Sequence, residues 1–238
     1  MAYIFANWKS ALTSHEAMML YQSLLNLSYK NITIAVFPSV QHVIPIYEIC
    51  LKTGLRTANP LLGLQNCAPS GISQQTGETL LTEFKNIITY VLCGHSERRR
   101  MGEDCSLVIK KAHYAYSQGV IPVLCVGETL EERAKGLTSR VVAQQLEGSE
   151  DIPRLLVAYE PVWSIGSGNP AKPHEIEKVI KENILSKVPH AECLYGGSVD
   201  AENCVEFLDI PTIKGLLIGG ASQNITSFSS LIKKCIPQ

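Results

Sequence analysis

No two of the eight cysteines are spaced as C-x-x-C, no block of like charge exceeds three residues, and no apolar stretch is long enough to span a bilayer. Each absence excludes something. Cys50, Cys67, Cys93, Cys105, Cys125, Cys193, Cys204 and Cys235 are scattered, several of them inside apolar runs, which argues for reduced core thiols in a cytoplasmic protein and against a disulfide framework or metal site. With 21 Lys+Arg against 22 Asp+Glu the formal net charge is −1, and the one basic cluster, Arg98-Arg99-Arg100, lies between Glu97 and Glu103. Neither nucleic acid nor an anionic membrane is an expected partner of such a surface. The uncharged stretch 31–47 is interrupted by Pro38, Gln41 and Pro45, and no secretory apolar region follows Met1. The sequons at Asn26, Asn31 and Asn224 would matter only in a secreted chain.

What is present is an alternation of short apolar runs with helix-period segments. The strand-like runs are Tyr3–Ala6, Ile32–Phe37, a weak one near Leu55–Ala58, Ile87–Cys93, Val120–Val126, Leu155–Tyr159, Glu192–Tyr195 and Gly215–Ile218. Helical patterns follow them, including Ser14–Leu27 with Ser14 as N-cap, Val108–Ser117, Val141–Leu146, His174–Leu185, Ala201–Leu208 and Thr226–Cys235. Continuous apolar strands are buried on both faces, and strict strand–helix alternation implies parallel pairing. Eight such units in 238 residues suit one closed (β/α)8 barrel over 1–238, with an open doubly wound sheet as the alternative.

In a barrel of this kind the functional residues stand just after the strands. Asn7-Trp8-Lys9 follows the first run, Gly94-His95-Ser96-Glu97 the fourth, Gly127-Glu128 the fifth and Glu160 the sixth. Gly196-Gly197-Ser198 and Gly219-Gly220-Ala221-Ser222 follow the seventh and eighth. Closely spaced glycines let backbone N–H groups approach an anion, so the last two rims read as a phosphate cradle, against the plainer reading of two tight turns. Glu160 sits at a strand end beside the glycine-rich Ser164-Ile165-Gly166-Ser167-Gly168, which is how a general base under a mobile lid would be written; a solvated charge is the duller alternative.

Six segments together resemble the triosephosphate isomerase family: Asn7-Trp8-Lys9, Gly94-His95-Ser96-Glu97-Arg98-Arg99, Cys125-Val126-Gly127-Glu128-Thr129, Ala158-Tyr159-Glu160-Pro161-Val162-Trp163, Tyr195-Gly196-Gly197-Ser198-Val199 and Gly219-Gly220-Ala221-Ser222. The resemblance implies a cytoplasmic homodimer of glycolysis and gluconeogenesis. Without metal or organic cofactor, it would interconvert dihydroxyacetone phosphate and D-glyceraldehyde 3-phosphate through an enediolate. It casts Glu160 as the base, His95 as the electrophile and Lys9 as the cation offsetting phosphate and oxyanion charge, with Asn7 near the same oxygen. Gly166, Ser198, Gly219 and Gly220 match the phosphate-holding positions. The lid would run over 161–171, including Pro161, Val162, Trp163, Ile165, Gly166, Ser167 and Gly168, and Ile165 and Leu217 would close around the base. Glu97, Cys125 and Glu128 match family positions with supporting jobs on the rim and in the core.

The chain departs from the family pattern in the lid, where Ser164 and Ser167 replace Ala and Thr and Pro170 replaces a Thr or Val, and in the 66–78 segment, which lacks the usual Gly-Asn-Gly-Ala-Phe interior. In the family that segment enters the partner subunit, with the residue matched by Thr76 reaching the neighbour's site. Two other function classes find weaker support. Gly166-Ser167-Gly168-Asn169-Pro170-Ala171 fits G-x-G-x-x-A, but it follows a sixth strand instead of opening a first βαβ unit. A catalytically silent binding barrel would not need Asn7, Lys9, His95 and Glu160 together. Ser96 beside His95 has no G-x-S-x-G setting to make it a hydrolase nucleophile.

Overall fold

The computed structural model describes residues 2–27, 29, 31–53, 60–71, 76–166 and 170–236. Eight strands form a closed barrel: β1 Ala2–Asn7, β2 Ile32–Phe37, β3 Leu61–Leu64, β4 Tyr90–Cys93, β5 Ile121–Val126, β6 Leu156–Tyr159, β7 Glu192–Tyr195 and β8 Ile213–Ile218. Every neighbouring pair is parallel, and β1 closes on β8 with Tyr3 opposite Gly215 and Ala6 opposite Ile218. The open-sheet alternative is thereby excluded. The helices are α1 Ser14–Leu25, α2 Val40–Thr53, α3 Ser96–Arg100, α4 Cys105–Ser117, α5 Leu130–Ala134, α6 Thr138–Leu146, α7 Pro173–Val179, α8 Cys204–Leu208 and α9 Ile225–Cys235. Among the described residues none is long and apolar enough to cross a membrane.

Alternation along the strands divides the interior in two. Phe5, Ala35, Phe37, Tyr90, Leu92, Val123, Ala158, Leu194 and Leu217 fill the barrel, whereas Ile4, Ala6, Ile34, Val36, Val91, Leu124 and Val157 pack outward against the helices. Both faces are dry, which is why the strands read as unbroken apolar runs. Phe5 packs against Phe37 and Tyr90 in tilted ring pairs at centroid distances of 5.4 and 4.6 Å. A side chain at Gly63 would meet the Phe37 ring at 2.4 Å, so the barrel filling dictates glycine there.

Three local expectations are corrected. The third strand is Leu61–Leu64, and the weak run at 55–58 lies outside the described residues. Helix α1 is capped by Thr13, not Ser14: the Thr13 hydroxyl accepts from Glu16 N–H while the Glu16 carboxylate accepts from Thr13 N–H, a reciprocal capping box. The helix expected to run from His174 to Leu185 begins at Pro173 and continues beyond α7 as a π-helical turn, Ile180–Ile184.

Candidate active site

Where the strands end, residues from five of the eight units line one cavity of about 220 Å³, among them Asn7, Lys9, His95, Glu160, Ser198 and Gly219. Glu160 directly follows β6, its N–H bonded to the Val126 carbonyl at 2.7 Å. Its carboxylate is 97% buried, and one oxygen, Oε2, is without a hydrogen-bond partner. Oε1 lies 3.7 Å from His95 Nε2. Glycine is required on both sides of this residue. A Cβ at Gly127 would stand 1.9 Å from the Glu160 carbonyl oxygen, and one at Gly196 would stand 2.7 Å from its Cγ.

His95 caps α3. Its Nδ1 accepts the Glu97 N–H at 3.2 Å, which leaves Nε2 to carry the ring N–H, facing Glu160 and the cavity. Lys9 is held in an unusual conformation for a residue with a side chain, φ +52°. Three side chains fix it there: Asn7 Oδ1 accepts its N–H at 3.1 Å, and its carbonyl accepts from Ser39 Oγ at 3.0 Å and Gln65 Nε2 at 2.6 Å. Its ammonium pairs with Glu97 Oε1 at 2.6 Å. Burial works against the Glu97 charge, but the Lys9 ammonium prevails and holds its carboxyl below the usual range.

Gln65 and Ser39 were not among the expected site residues, because what they hold is a backbone carbonyl distant in sequence. Gln65 also donates to the Phe37 carbonyl at 2.9 Å. Gln65→Ala should remove one of two donors from each carbonyl, Lys9 keeping Ser39 and Phe37 keeping the Trp8 N–H, and so lower stability by about 0.5–1.5 kcal/mol in denaturant melts. It should also raise KM for a phosphate substrate more than it lowers kcat, because Lys9 loses one of the bonds that hold its strained backbone.

Ile165 and Gly166 reach the cavity from the lid side, and Gly196, Ser198, Leu217, Gly219 and Gly220 from the seventh and eighth rims. Ser167 and Gly168 lie outside the described residues. Gly220 is informative for what does not constrain it: a Cβ there would touch nothing within 4 Å, and at Gly219 only Lys9 Cε at 3.6 Å. Packing does not demand glycine at either position. A side chain would instead project into space at the cavity wall.

The start of the 161–171 segment, where a lid is expected, is anchored to Glu128 and to Arg133 of α5. Trp163 Nε1 donates to Glu128 Oε1 at 3.2 Å, Val162 N–H donates to the Glu128 carbonyl at 3.0 Å, and the Arg133 guanidinium lies 4.8 Å from the Trp163 ring centroid. Arg133 also pairs with Glu128 at 3.3 Å and with Glu175 at 2.8 Å. Tyr159 donates to both Glu128 oxygens, and burial together with that carboxylate pushes its hydroxyl far up, keeping it a donor. At the other end Ala171 N–H donates to the Tyr195 hydroxyl at 3.2 Å, and Ser198 Oγ donates to the Ser164 carbonyl at 2.7 Å.

Comparison with known proteins agrees with this geometry. The family model described as triosephosphate isomerase matches residues 2–235. A triosephosphate isomerase of Legionella pneumophila (strain Paris) is 40% identical over 217 aligned residues, covering 85% of each chain. Those of Carboxydothermus hydrogenoformans and Dictyoglomus thermophilum are 37% and 35% identical, the alignments covering 97% or more of every chain. With a closed eight-strand parallel barrel, and a family match that runs from the first strand to the last helix, the chain belongs to the triosephosphate isomerase family.

Proposed function

We propose that Glu160, His95 and Lys9 carry the family's isomerisation in this chain. A hydroxy-ketone phosphate bound in the cavity presents the carbon bearing its hydroxyl to Glu160, whose unpartnered oxygen takes the proton. The His95 Nε2–H donates to the carbonyl oxygen as negative charge builds on it, and the Lys9 ammonium stabilises both that oxyanion and the phosphate. Asn7 hydrogen-bonds at the same edge of the substrate. The hydroxyl proton passes to the former carbonyl oxygen by way of His95 Nε2 and the proton held by Glu160 returns to the neighbouring carbon, converting dihydroxyacetone phosphate to D-glyceraldehyde 3-phosphate with no net change of atoms. Backbone N–H groups of Gly166, Ser198, Gly219 and Gly220 hold the phosphate, and the 161–171 lid excludes water, protecting the enediolate from losing phosphate.

The observation that carries these roles is the convergence of a buried carboxylate with a free oxygen, an imidazole presenting its only N–H, and a lysine in a strained backbone, all at one glycine-lined cavity. A coupled assay for aldehyde phosphate formed from dihydroxyacetone phosphate tests them. A folded protein without turnover would sink the assignment.

A cytoplasmic homodimer is the assembly that best fits the single chain. Met101, 75% exposed, borders a cleft lined by Lys9, Gln65, Glu97 and Arg98, and Thr76 is exposed at the end of the segment expected to enter a partner. Equilibrium sedimentation at micromolar concentration checks this; a monomer with full activity would overturn it.

Pro170 stiffens the lid's second hinge, next to the Ala171–Tyr195 bond, by fixing one φ near −65°. Pro170→Thr should loosen the open lid, raise microsecond-to-millisecond exchange at the Trp163 indole in relaxation-dispersion NMR, and weaken a phosphate-bearing transition-state analogue roughly two- to fivefold. Identical exchange and affinity would make the proline a neutral substitution.

A further inference from the structure

A buried side chain outside the cavity holds the backbone that carries the base. Val126, the last residue of β5, gives its carbonyl to the Glu160 N–H at 2.7 Å, and the Glu128 carbonyl accepts the Val162 N–H at 3.0 Å. Alternate residues carry the bonds of a parallel pair, so Gly127 between them turns both its polar groups away from the β6 side. Gln145, near the end of α6, meets them. Its Oε1 accepts the Gly127 N–H at 2.7 Å and its Nε2 donates to the Gly127 carbonyl at 3.1 Å, one amide satisfying both groups of one residue. Gln145 is 8% exposed and Gly127 is buried, so losing the clasp leaves buried groups unpaired.

Gly127 also abuts the base. A Cβ there would stand 1.9 Å from the Glu160 carbonyl oxygen and 3.2 Å from Pro161 N. Glu160 Oε2 has no hydrogen-bond partner among the described residues, so that oxygen is placed by the backbone beneath it and by the contact of Cγ with Gly196. We propose that Gln145 is a positioning residue for the isomerisation, setting through Gly127 the height of Glu160 and of the first hinge of the lid. This rests on Glu160 being the base. A displacement of Gly127 carries the carbonyls of Val126 and Glu128 with it, and so moves the anchors of the Glu160 and Val162 N–H groups together. Most of the groups proposed to hold phosphate stand instead on the seventh and eighth rims, which the Gln145 hydrogen bonds do not reach. Loss of Gln145 is therefore felt in turnover and not in phosphate binding.

Steady-state kinetics of two variants, at a temperature where each is folded as judged by circular dichroism, test this. Gln145→Met keeps the length of the side chain and removes both bonds. Its kcat is expected to fall roughly tenfold, as for a shift of the base by about half an ångström, with inhibition by inorganic phosphate unchanged within about twofold. Gln145→Glu supplies a switch. Protonated, the introduced carboxyl can accept from the Gly127 N–H and donate to its carbonyl as the amide does; ionised, it has no donor and sets a charge against the carbonyl oxygen. As pH falls the donor returns, so the kcat of this variant relative to wild type should climb toward unity between about pH 8 and 6, the buried carboxyl titrating above its usual range. A residue that only satisfies buried groups would lower the melting temperature of both variants, yet leave kcat within about twofold of wild type and its ratio flat with pH; that result overturns the proposal. If Gln145→Met does not fold, the pH profile of Gln145→Glu decides. Glu160→Asp, measured alongside, separates the two readings: an unchanged kcat there sinks the base assignment and this inference with it, whereas a loss there beside normal turnover in the Gln145 variants overturns the positioning role alone.

Discussion

Glu160→Asp is expected to keep its fold and its affinity for a phosphate ligand while losing about 10²-fold in kcat. Shortening the side chain by one methylene withdraws the carboxylate by about 1 Å, and a displacement of that size from the reacting atom costs on this order. The surroundings cannot follow the shorter side chain. The Glu160 backbone is tied to Val126, and Gly127 and Gly196 are packed against its carbonyl and its Cγ. Aspartate would therefore leave a gap beside Gly196 and an oxygen out of reach of the substrate carbon. Steady-state kinetics with competitive inhibition by inorganic phosphate separates the two effects. An unchanged kcat would remove Glu160 from its role as base.

His95→Gln should lower kcat by roughly 10²- to 10³-fold, the range found when one donor to a developing oxyanion is removed. A glutamine amide can stand near the position of Nε2, but it cannot also accept the Glu97 N–H in the way that Nδ1 does at 3.2 Å. The donor is then neither oriented nor held. Because His95 lies on the rim, outside the apolar barrel filling, stability should fall only by the cost of the lost α3 cap, about 1 kcal/mol. A variant that failed to fold, yet whose refolded fraction turned over normally, would make His95 structural.

Much of the architecture was legible because the barrel buries its strands twice. Ile32–Phe37 and Ile121–Val126 stand out as continuous apolar runs only because one set of alternate residues faces the barrel filling and the other the helices. Leu61–Leu64 escaped the same logic: it is four residues long, follows a proline and carries Gly63, a residue present for the sake of the Phe37 ring. Thr13 and Ser14 are adjacent potential caps, and only the reach of Glu16 decides between them. Lys9, His95 and Glu160 could be located by their places after strands. The means by which Lys9 is held could not, since Ser39 and Gln65 act through a carbonyl and leave no periodicity or motif. Glu128 was legible as a supporting residue, but its three donors, Tyr159, Trp163 and Arg133, come from separate turns of the chain that only the fold brings together.

The pairing of β1 with β8 has a consequence for the order in which the protein becomes competent on the ribosome. Lys9 emerges early and Gly219-Gly220 close to the end, yet both line the same cavity, and a Cβ built on Gly219 would stand 3.6 Å from the Lys9 side chain. A nascent chain short of β8 has its lysine and its carboxylate but no second wall for the phosphate, and its first strand lacks a neighbour along one side. Until translation reaches the last β/α unit, that strand is an open edge able to pair with other chains. If Gly219 and Gly220 hold the phosphate as proposed, ligand cannot rescue such intermediates, because that part of the site is the last to be synthesised. Protection of nascent barrels must come from the rate of synthesis or from chaperones, and stabilisation by substrate begins only with the finished ring.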